Sequence, residues 1–292
     1  MEAIESKLPG ASLLWKIAFP ILMLVALYYL YQFLFGANGL EGSLVMKNIR
    51  KSSPDKPYIF LGDPTSSSSI PAIYEGGEYT INGWIYIDDY SIRRGYNKHV
   101  VSLGGSSFLT LAVFLGPYKN SLNVRVHTQD TNTQSTALPA SSMPTSTVSD
   151  DLKAENLGSI FTSMQQDNGL LNPTRPCDIQ SIDLQKWVQI TITLNNKTCD
   201  VFIDGKLARS CVLPSFYKVS KSNMALRLCE YGGFGGYVSN FSAYNYALNP
   251  EQIWRLYMSG PGPQLSIADY IAALFDPKAA MSVDYPKQNI TA

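Results

Sequence analysis

Residues 17–35 read IAFPILMLVALYYLYQFLF, a run without a charged side chain. Coiled into a helix at about 1.5 Å per residue, it comes close to the ~30 Å thickness of a bilayer's hydrocarbon core. Pro20 stands near the start, where its missing amide donor matters least. Tyr28, Tyr29 and Tyr31 suit the aromatic belt at one interface, and Trp15 and Lys16 suit the other, where a lysine stem can reach the headgroups. A cleaved signal peptide would want a shorter apolar core and small residues at the cleavage point, yet bulky Phe35 precedes Gly36 and Ala37. A buried core helix would need other helices to pack against, and the rest of the chain offers no such partners. The expectation is one retained transmembrane helix at 17–35 behind a tail of residues 1–16. Lys7 and Lys16 precede it while Lys47, Arg50, Lys51 and Lys56 follow, so the positive-inside rule leans towards a cytoplasmic face for the remainder.

That remainder is strand-forming: the chain holds 18 Tyr and 12 Phe among many Val, Ile and Thr. Its 292 residues suit one large β-sandwich beyond the anchor. Lys+Arg and Asp+Glu balance at 23 each, which leaves no basic field and argues against nucleic acid as a partner. Residues 36–57 mix Gly, Ser, Lys and Pro without an apolar period and read as a linker, with the domain spanning 58–261. Strands are expected at 58–61, 78–87, 99–103, 108–115 and 122–127. In the second, Tyr79, Ile81, Gly83, Ile85 and Ile87 alternate with Thr80, Asn82, Trp84 and Tyr86. Both sets hold large side chains, so this strand should be covered on both faces. Residues 128–175 are rich in Ser, Thr and Pro and read as a long surface insertion.

Cys177, Cys199, Cys211 and Cys229 lack the close spacings of a zinc site, and His99 and His127 are the only histidines. Four cysteines allow three disulfide connectivities, but a domain this large does not need staples, and free structural thiols are expected.

The most specific stretch begins at Trp187 with WVQITITLNNKTCDVFIDGKLARSCVLPSF. Residues 187–194 alternate, Asn195 and Asn196 turn the chain, and Asp204-Gly205 signals a two-residue hairpin. Its simple register pairs Asp200 near Arg209 and sends Cys199 and Cys211 to opposite faces, so a bridge between them would need a bulge. Gly232, Gly233, Gly235 and Gly236 allow a tight bend or close backbone packing, and no nucleotide loop follows them. Asn249 is placed to cap a short helix with Pro250 at its first position and Gly260 after its end.

The order of Trp, alternating strand, DG hairpin, Gly-rich bend, aromatic strand, ALNPEQI helix and GP resembles the concanavalin A-like lectin/glucanase superfamily in its laminin G-like branch. EYTINGWIYI is similar to that family's early core strand. The resemblance covers about residues 58–261, outside the 128–175 insertion. It implies an all-β antiparallel jelly-roll sandwich, here preceded by one transmembrane α-helix, with Trp84 and Trp187 as core residues.

Chemistry is sparse. The resemblance implies paired carboxylates on one strand for glycoside hydrolysis, but no Glu-x-Asp-x-x-Glu pattern occurs, so no catalytic residues and no cofactor are expected. It also implies calcium, for which Asp88, Asp89 and Asp130 are the candidate ligands, each otherwise a turn residue. Carbohydrate would want exposed aromatics such as Trp84, Tyr231 or Tyr237. Residues 262–292 add helical spacing at Ile267, Ile271 and Leu274, then an extended arm suited to docking on a partner.

Two functions remain open. One is a membrane-anchored structural protein that tethers a bilayer to neighbouring proteins, an architecture that resembles minor capsid components of large icosahedral DNA viruses at the virion membrane, with reduced cysteines. The other is a cell-surface lectin or adhesion module, where the sequons at Asn196, Asn240 and Asn289 would be available for glycans.

Overall fold

The computed structural model describes residues 11–35, 42–62, 70–129, 152–166, 177–221 and 224–262. The chain forms two units, residues 1–40 and residues 41–292.

The first unit holds helix α1, Ala11–Phe35. Its side chains are described at Lys16 and at 18–30, and all of these are solvent-exposed, Phe19, Leu22 and Leu24 among them. Among the described residues no helix is long and apolar enough to cross a membrane.

The second unit is a sandwich of two antiparallel sheets. Its strands are β1 (Ser43–Met46), β2 (Arg50–Lys51), β3 (Tyr58–Leu61), β4 (Glu78–Asp89), β5 (Lys98–Gly104), β6 (Leu109–Leu115), β7 (Leu122–Val126), β8 (Trp187–Asn195), β9 (Thr198–Ile203), β10 (Lys206–Val212), β11 (Ala225–Leu228) and β12 (Gly235–Tyr244). One sheet runs β1-β12-β4-β8-β9-β10, with β2 also on β12; the other runs β3-β11-β5-β6-β7.

Alternation along the strands fills the space between the sheets. Tyr79, Ile81, Ile85 and Ile87 of β4 and Val188, Ile190, Ile192 and Leu194 of β8 meet Val101, Leu103, Leu111 and Val113 of the facing sheet. Fully burying each such aliphatic contributes about 1.5–3 kcal/mol before the ordering cost. On the outer face of β4, Thr80, Asn82 and Trp84 are buried as well, Trp84 beneath helix α3 (Pro250–Ser259) and Thr80 beneath the segment leading to it. Thr80 Oγ1 donates to the Tyr246 carbonyl at 2.9 Å and accepts from the Leu248 amide at 3.1 Å. The Asn249 side chain accepts from the Gln252 amide while the Gln252 side chain accepts from the Asn249 amide, and Pro250 opens the helix.

The Gly-rich segment works by close backbone approach. A Cβ on Gly233 would lie 1.8 Å from the Ser52 carbonyl, and one on Gly236 would lie 1.9 Å from that of Tyr86. Gly232 and Gly235 flank these contacts. Asp204 and Gly205 take φ of 49° and 74°, the positive pair that lets a two-residue turn match the strand twist.

Four expectations change. Residues 36–57 include β1 and β2, which pair with β12 and bury Val45 and Met46. Strands of four and two residues carry too few alternations to read. The hairpin after Asp204-Gly205 has a bulge between Leu207 and Arg209, so Asp200 lies opposite Ser210, and Cys199 opposite Cys211. Cys177 and Cys211 form a disulfide with Cα atoms 5.6 Å apart, against the expectation of free thiols; Cys199 and Cys229 remain free and buried. Burial and, less, Asp200 push the Cys199 thiol up to about 12, which leaves it unreactive. The 128–175 insertion contains helix α2 (Ala154–Phe161), which packs on the five-stranded sheet. Most of the insertion and the expected helix and arm at 262–292 lie outside the described residues, as do Asp130 and Asn289.

The disulfide closes a loop whose ends are 34 residues apart. Replacing Cys177 with Ser is expected to cost about 3–4 kcal/mol through the unfolded chain's regained freedom. Urea denaturation with and without reductant checks this: reductant should reproduce the loss in the native chain and leave the variant unchanged.

Candidate functional site

The outer face of the seven-stranded sheet carries a row of aromatic side chains. Tyr86 is the register partner of Trp187 on β8 and of Tyr237 on β12. Its ring lies 5.5 Å from that of Trp187 and 6.2 Å from that of Tyr237. All three are half-buried. Strands about 4.8 Å apart stretch the row over roughly 10 Å.

Charge borders the row at both ends. Lys51 is the register partner of Tyr237. Lys186, next to Trp187, holds Asp183 and Asp204, each at 3.1 Å. Asp88, two residues past Tyr86 and so on the same face, is exposed. Behind the row a buried hydrogen-bond network fixes the sheet. Asn82 Oδ1 accepts from Gln189 Nε2 and Thr191 Oγ1, both at 2.8 Å, and Asn82 Nδ2 donates to Ser242 Oγ at 3.4 Å.

Trp84 lies on this outer face too, but is 4% exposed. Its ring stacks on Tyr257 of α3 at 5.7 Å, and Tyr257 leans on Trp254 at 5.2 Å. Trp84 is thus buried, as expected, but beneath α3, whereas Trp187, expected in the core, is half-buried on the outer face and outside the inter-sheet cluster. The signal was in the sequence: in WVQITITL, Trp187 shares its parity with Gln189, Thr191 and Thr193, not with Val188, Ile190 and Ile192. Sequence reasoning named Tyr237 as a sugar candidate and missed Tyr86 and Trp187 beside it.

The outer face of the other sheet is filled by the chain itself. Phe161 of α2 stacks on Tyr231 at 4.9 Å, with His99 5.3 Å from Phe161. Tyr231, another sugar candidate, therefore has one ring face occupied. His99 Nδ1 accepts from the Glu230 amide at 3.1 Å, which requires the neutral ring with its proton on Nε2. Burial and, less, Arg227 hold its pKa down to about 3. At the far side, Arg125 pairs with buried Asp178 and lies over the Phe114 ring.

One group with catalytic potential, Lys98, is out of reach. Lys98 has its pKa lowered to about 8 by burial and by Arg93, but it is fully buried, with Nζ donating to the Gly116 and Pro117 carbonyls at 3.3 and 3.2 Å. Among the described residues, no cluster of three or more His, Cys, Asp or Glu could hold a metal ion. Asp88 and Asp89 end strand β4, Asp89 Oδ1 accepts from the Ser91 amide at 2.7 Å, and hydrogen bonds from the Ser91 side chain and, less, that amide hold its carboxyl below the usual range.

Residues 151–254 match the family described as the concanavalin A-like lectin/glucanases superfamily, in agreement with the jelly-roll-like pair of antiparallel sheets. No curated protein matches the sequence. Similar solved structures include the botulinum neurotoxin serotype D ligand-binding domain in complex with N-acetylneuraminic acid. It is 16% identical, with 76% of this chain and 45% of that one covered and a TM-score of 0.44. The botulinum neurotoxin serotype G binding domain is 14% identical over 75% and 47%, with a TM-score of 0.40. The Trypanosoma rangeli sialidase in complex with 2,3-difluorosialic acid is 13% identical over 63% and 23%, with a TM-score of 0.38. The chain thus spans less than half the length of each.

Because His99 is neutral in the fold and titrates near 6.5 when unfolded, the stability it supports is complete above pH 6.5 and is lost as the pH falls towards about 3. The loss should approach about 1.4 kcal/mol per pH unit in that window. His99→Asn keeps an acceptor for the Glu230 amide without a titrating ring, so its acid slope should be shallower. Equal slopes in chemical denaturation from pH 7 to 4 would contradict the assignment.

Proposed function

We propose that the chain is a non-enzymatic, membrane-anchored binding protein whose sandwich takes a carbohydrate on the Tyr237–Tyr86–Trp187 row. The observation that carries this reading is the row: three half-exposed rings in register on three hydrogen-bonded strands, with a cation and a carboxylate at its border. Sugar rings present flat C–H faces edged by hydroxyls, and a platform of rigid aromatic faces with polar groups beside it complements both.

The anchor is supported by α1. Its 25 residues reach about 37 Å as helix, more than the ~30 Å hydrocarbon core, and its described side chains are apolar and exposed on every side from 18 to 30. A helix apolar all round belongs in a bilayer or a core. The Cys177–Cys211 bond favours an oxidising side of that membrane and weighs against the cytoplasmic placement suggested by the lysines after α1. Among the described residues Asn196, at the β8–β9 turn, is the exposed sequon, whereas Asn240 is buried with Nδ2 donating to the Gly260 and Gly262 carbonyls. Tethering to neighbouring proteins, as in a viral capsid, would use the same anchor with a protein partner in place of the sugar.

Full-length protein in detergent, screened against a glycan array and then titrated by calorimetry, tests the site. Tyr86→Ala and Trp187→Ala are each expected to weaken binding by roughly tenfold or more, about 1.4 kcal/mol, with unchanged far-ultraviolet dichroism. Absence of any bound glycan, or equal affinity in both variants, would remove the carbohydrate reading and leave the tether.

A further inference from the structure

At the open edge of the sandwich, where β1 and β2 of one sheet come near β3 of the other, lies a cleft of about 420 Å³. Val45, Met46 and Phe60 supply apolar lining, while Lys47, Asn48 and Arg50 bring polar heads to it. Val45 and Met46 are buried, and Lys47, Asn48 and Arg50 are exposed. No lining residue is acidic. Neither Lys47 nor Arg50 has a carboxylate partner among the described residues. The Arg50 guanidinium lies 5.3 Å over the Tyr58 ring, and the Tyr58 hydroxyl donates to the Lys51 carbonyl at 3.1 Å, which fixes that wall.

Strand parity divides the two cations of β2. Arg50 is the register partner of core-facing Val238 and lines the cleft, whereas Lys51 is the partner of Tyr237 and belongs to the aromatic face. The cleft is therefore separate from the row above. Beside it Ile59 and Leu61, two residues apart on β3, are 50% and 55% exposed and form an aliphatic strip on the sheet edge.

We infer that this cleft is a site for the phosphate-bearing headgroup of an anionic phospholipid in the membrane that holds α1. Two cations without a carboxylate partner, one of them steadied on the Tyr58 ring, stand above an apolar floor and suit a phosphate, and the adjoining aliphatic strip suits the base of an acyl chain, a combination that a free anion would not use.

This inference rests on the anchored reading of α1, so insertion is measured first. Full-length protein is placed in phosphatidylcholine nanodiscs and in mixed phosphatidylcholine/phosphatidylglycerol nanodiscs, and amide hydrogen exchange is followed across β1 to β3. Exchange there should slow severalfold in the mixed discs only. High salt should reverse part of this, and K47A/R50A should abolish it, with the native far-ultraviolet spectrum retained. Equal exchange in the two discs, or slowing that survives in K47A/R50A, would overturn the site. Inorganic phosphate added to phosphatidylcholine discs should not reproduce the slowing; if it does, the site takes free phosphate and the lipid assignment fails. Should the protein not enter discs at all, the anchor reading falls. Flotation with anionic vesicles then decides the cleft: capture dependent on Lys47 and Arg50 supports it, and no capture overturns it.

Discussion

The antiparallel pairing of β4 with β8 on one side and β12 on the other is the interaction on which the rest of the sandwich depends. Side chains alternate across a strand, so a register that buries Ile81, Ile85 and Ile87 between the sheets sends Asn82, Trp84 and Tyr86 outward. A slip by one residue would exchange the two sets and leave an amide network in the core. The Asn82, Gln189, Thr191 and Ser242 hydrogen bonds oppose such a slip, because each would lose its partner in a dry place. The same register aligns Tyr237, Tyr86 and Trp187. The aromatic row is therefore a by-product of core packing as much as a surface feature.

The two outer faces are closed in different ways. On the seven-stranded sheet, α3 covers one end through Trp84, Tyr257 and Trp254 and leaves the row half-open. On the five-stranded sheet, α2 lies over Ala112 and Phe114, and Phe161 fills the space against His99 and Tyr231. A ligand could meet the first face as it stands, whereas the second would have to release Phe161, a fully buried aromatic, at a cost of about 3 kcal/mol or more.

Edges are handled by short elements and one covalent link. β1 and β2 pair with β12 over four and two residues, enough to satisfy part of its edge and to leave the basic cleft beside β3. On the opposite edge, the outermost strand β10 is tied by Cys211 to Cys177, in the segment before β8.

The sequence by itself determined the elements whose signal is local and repeated. The alternation in EYTINGWIYI and WVQITITL, the positive-φ turn at Asp204-Gly205 and the Asn249-Pro250 helix start were all readable, because each depends on neighbours within a few residues. The uncharged run at 17–35 was equally plain. Only the tertiary structure decided the rest. Ala208 enters as the extra residue of a bulge, which no local rule requires, and it moves Cys211 from the far face to a place opposite Cys199. The choice of Cys177 as partner for Cys211 depends on a chain that returns from outside the hairpin. The aromatic row joins residues 86, 187 and 237, and the cleft joins β1 with β3 across two sheets. Such sites arise from pairing between distant segments, and periodicity within one strand cannot say which strand will be its neighbour.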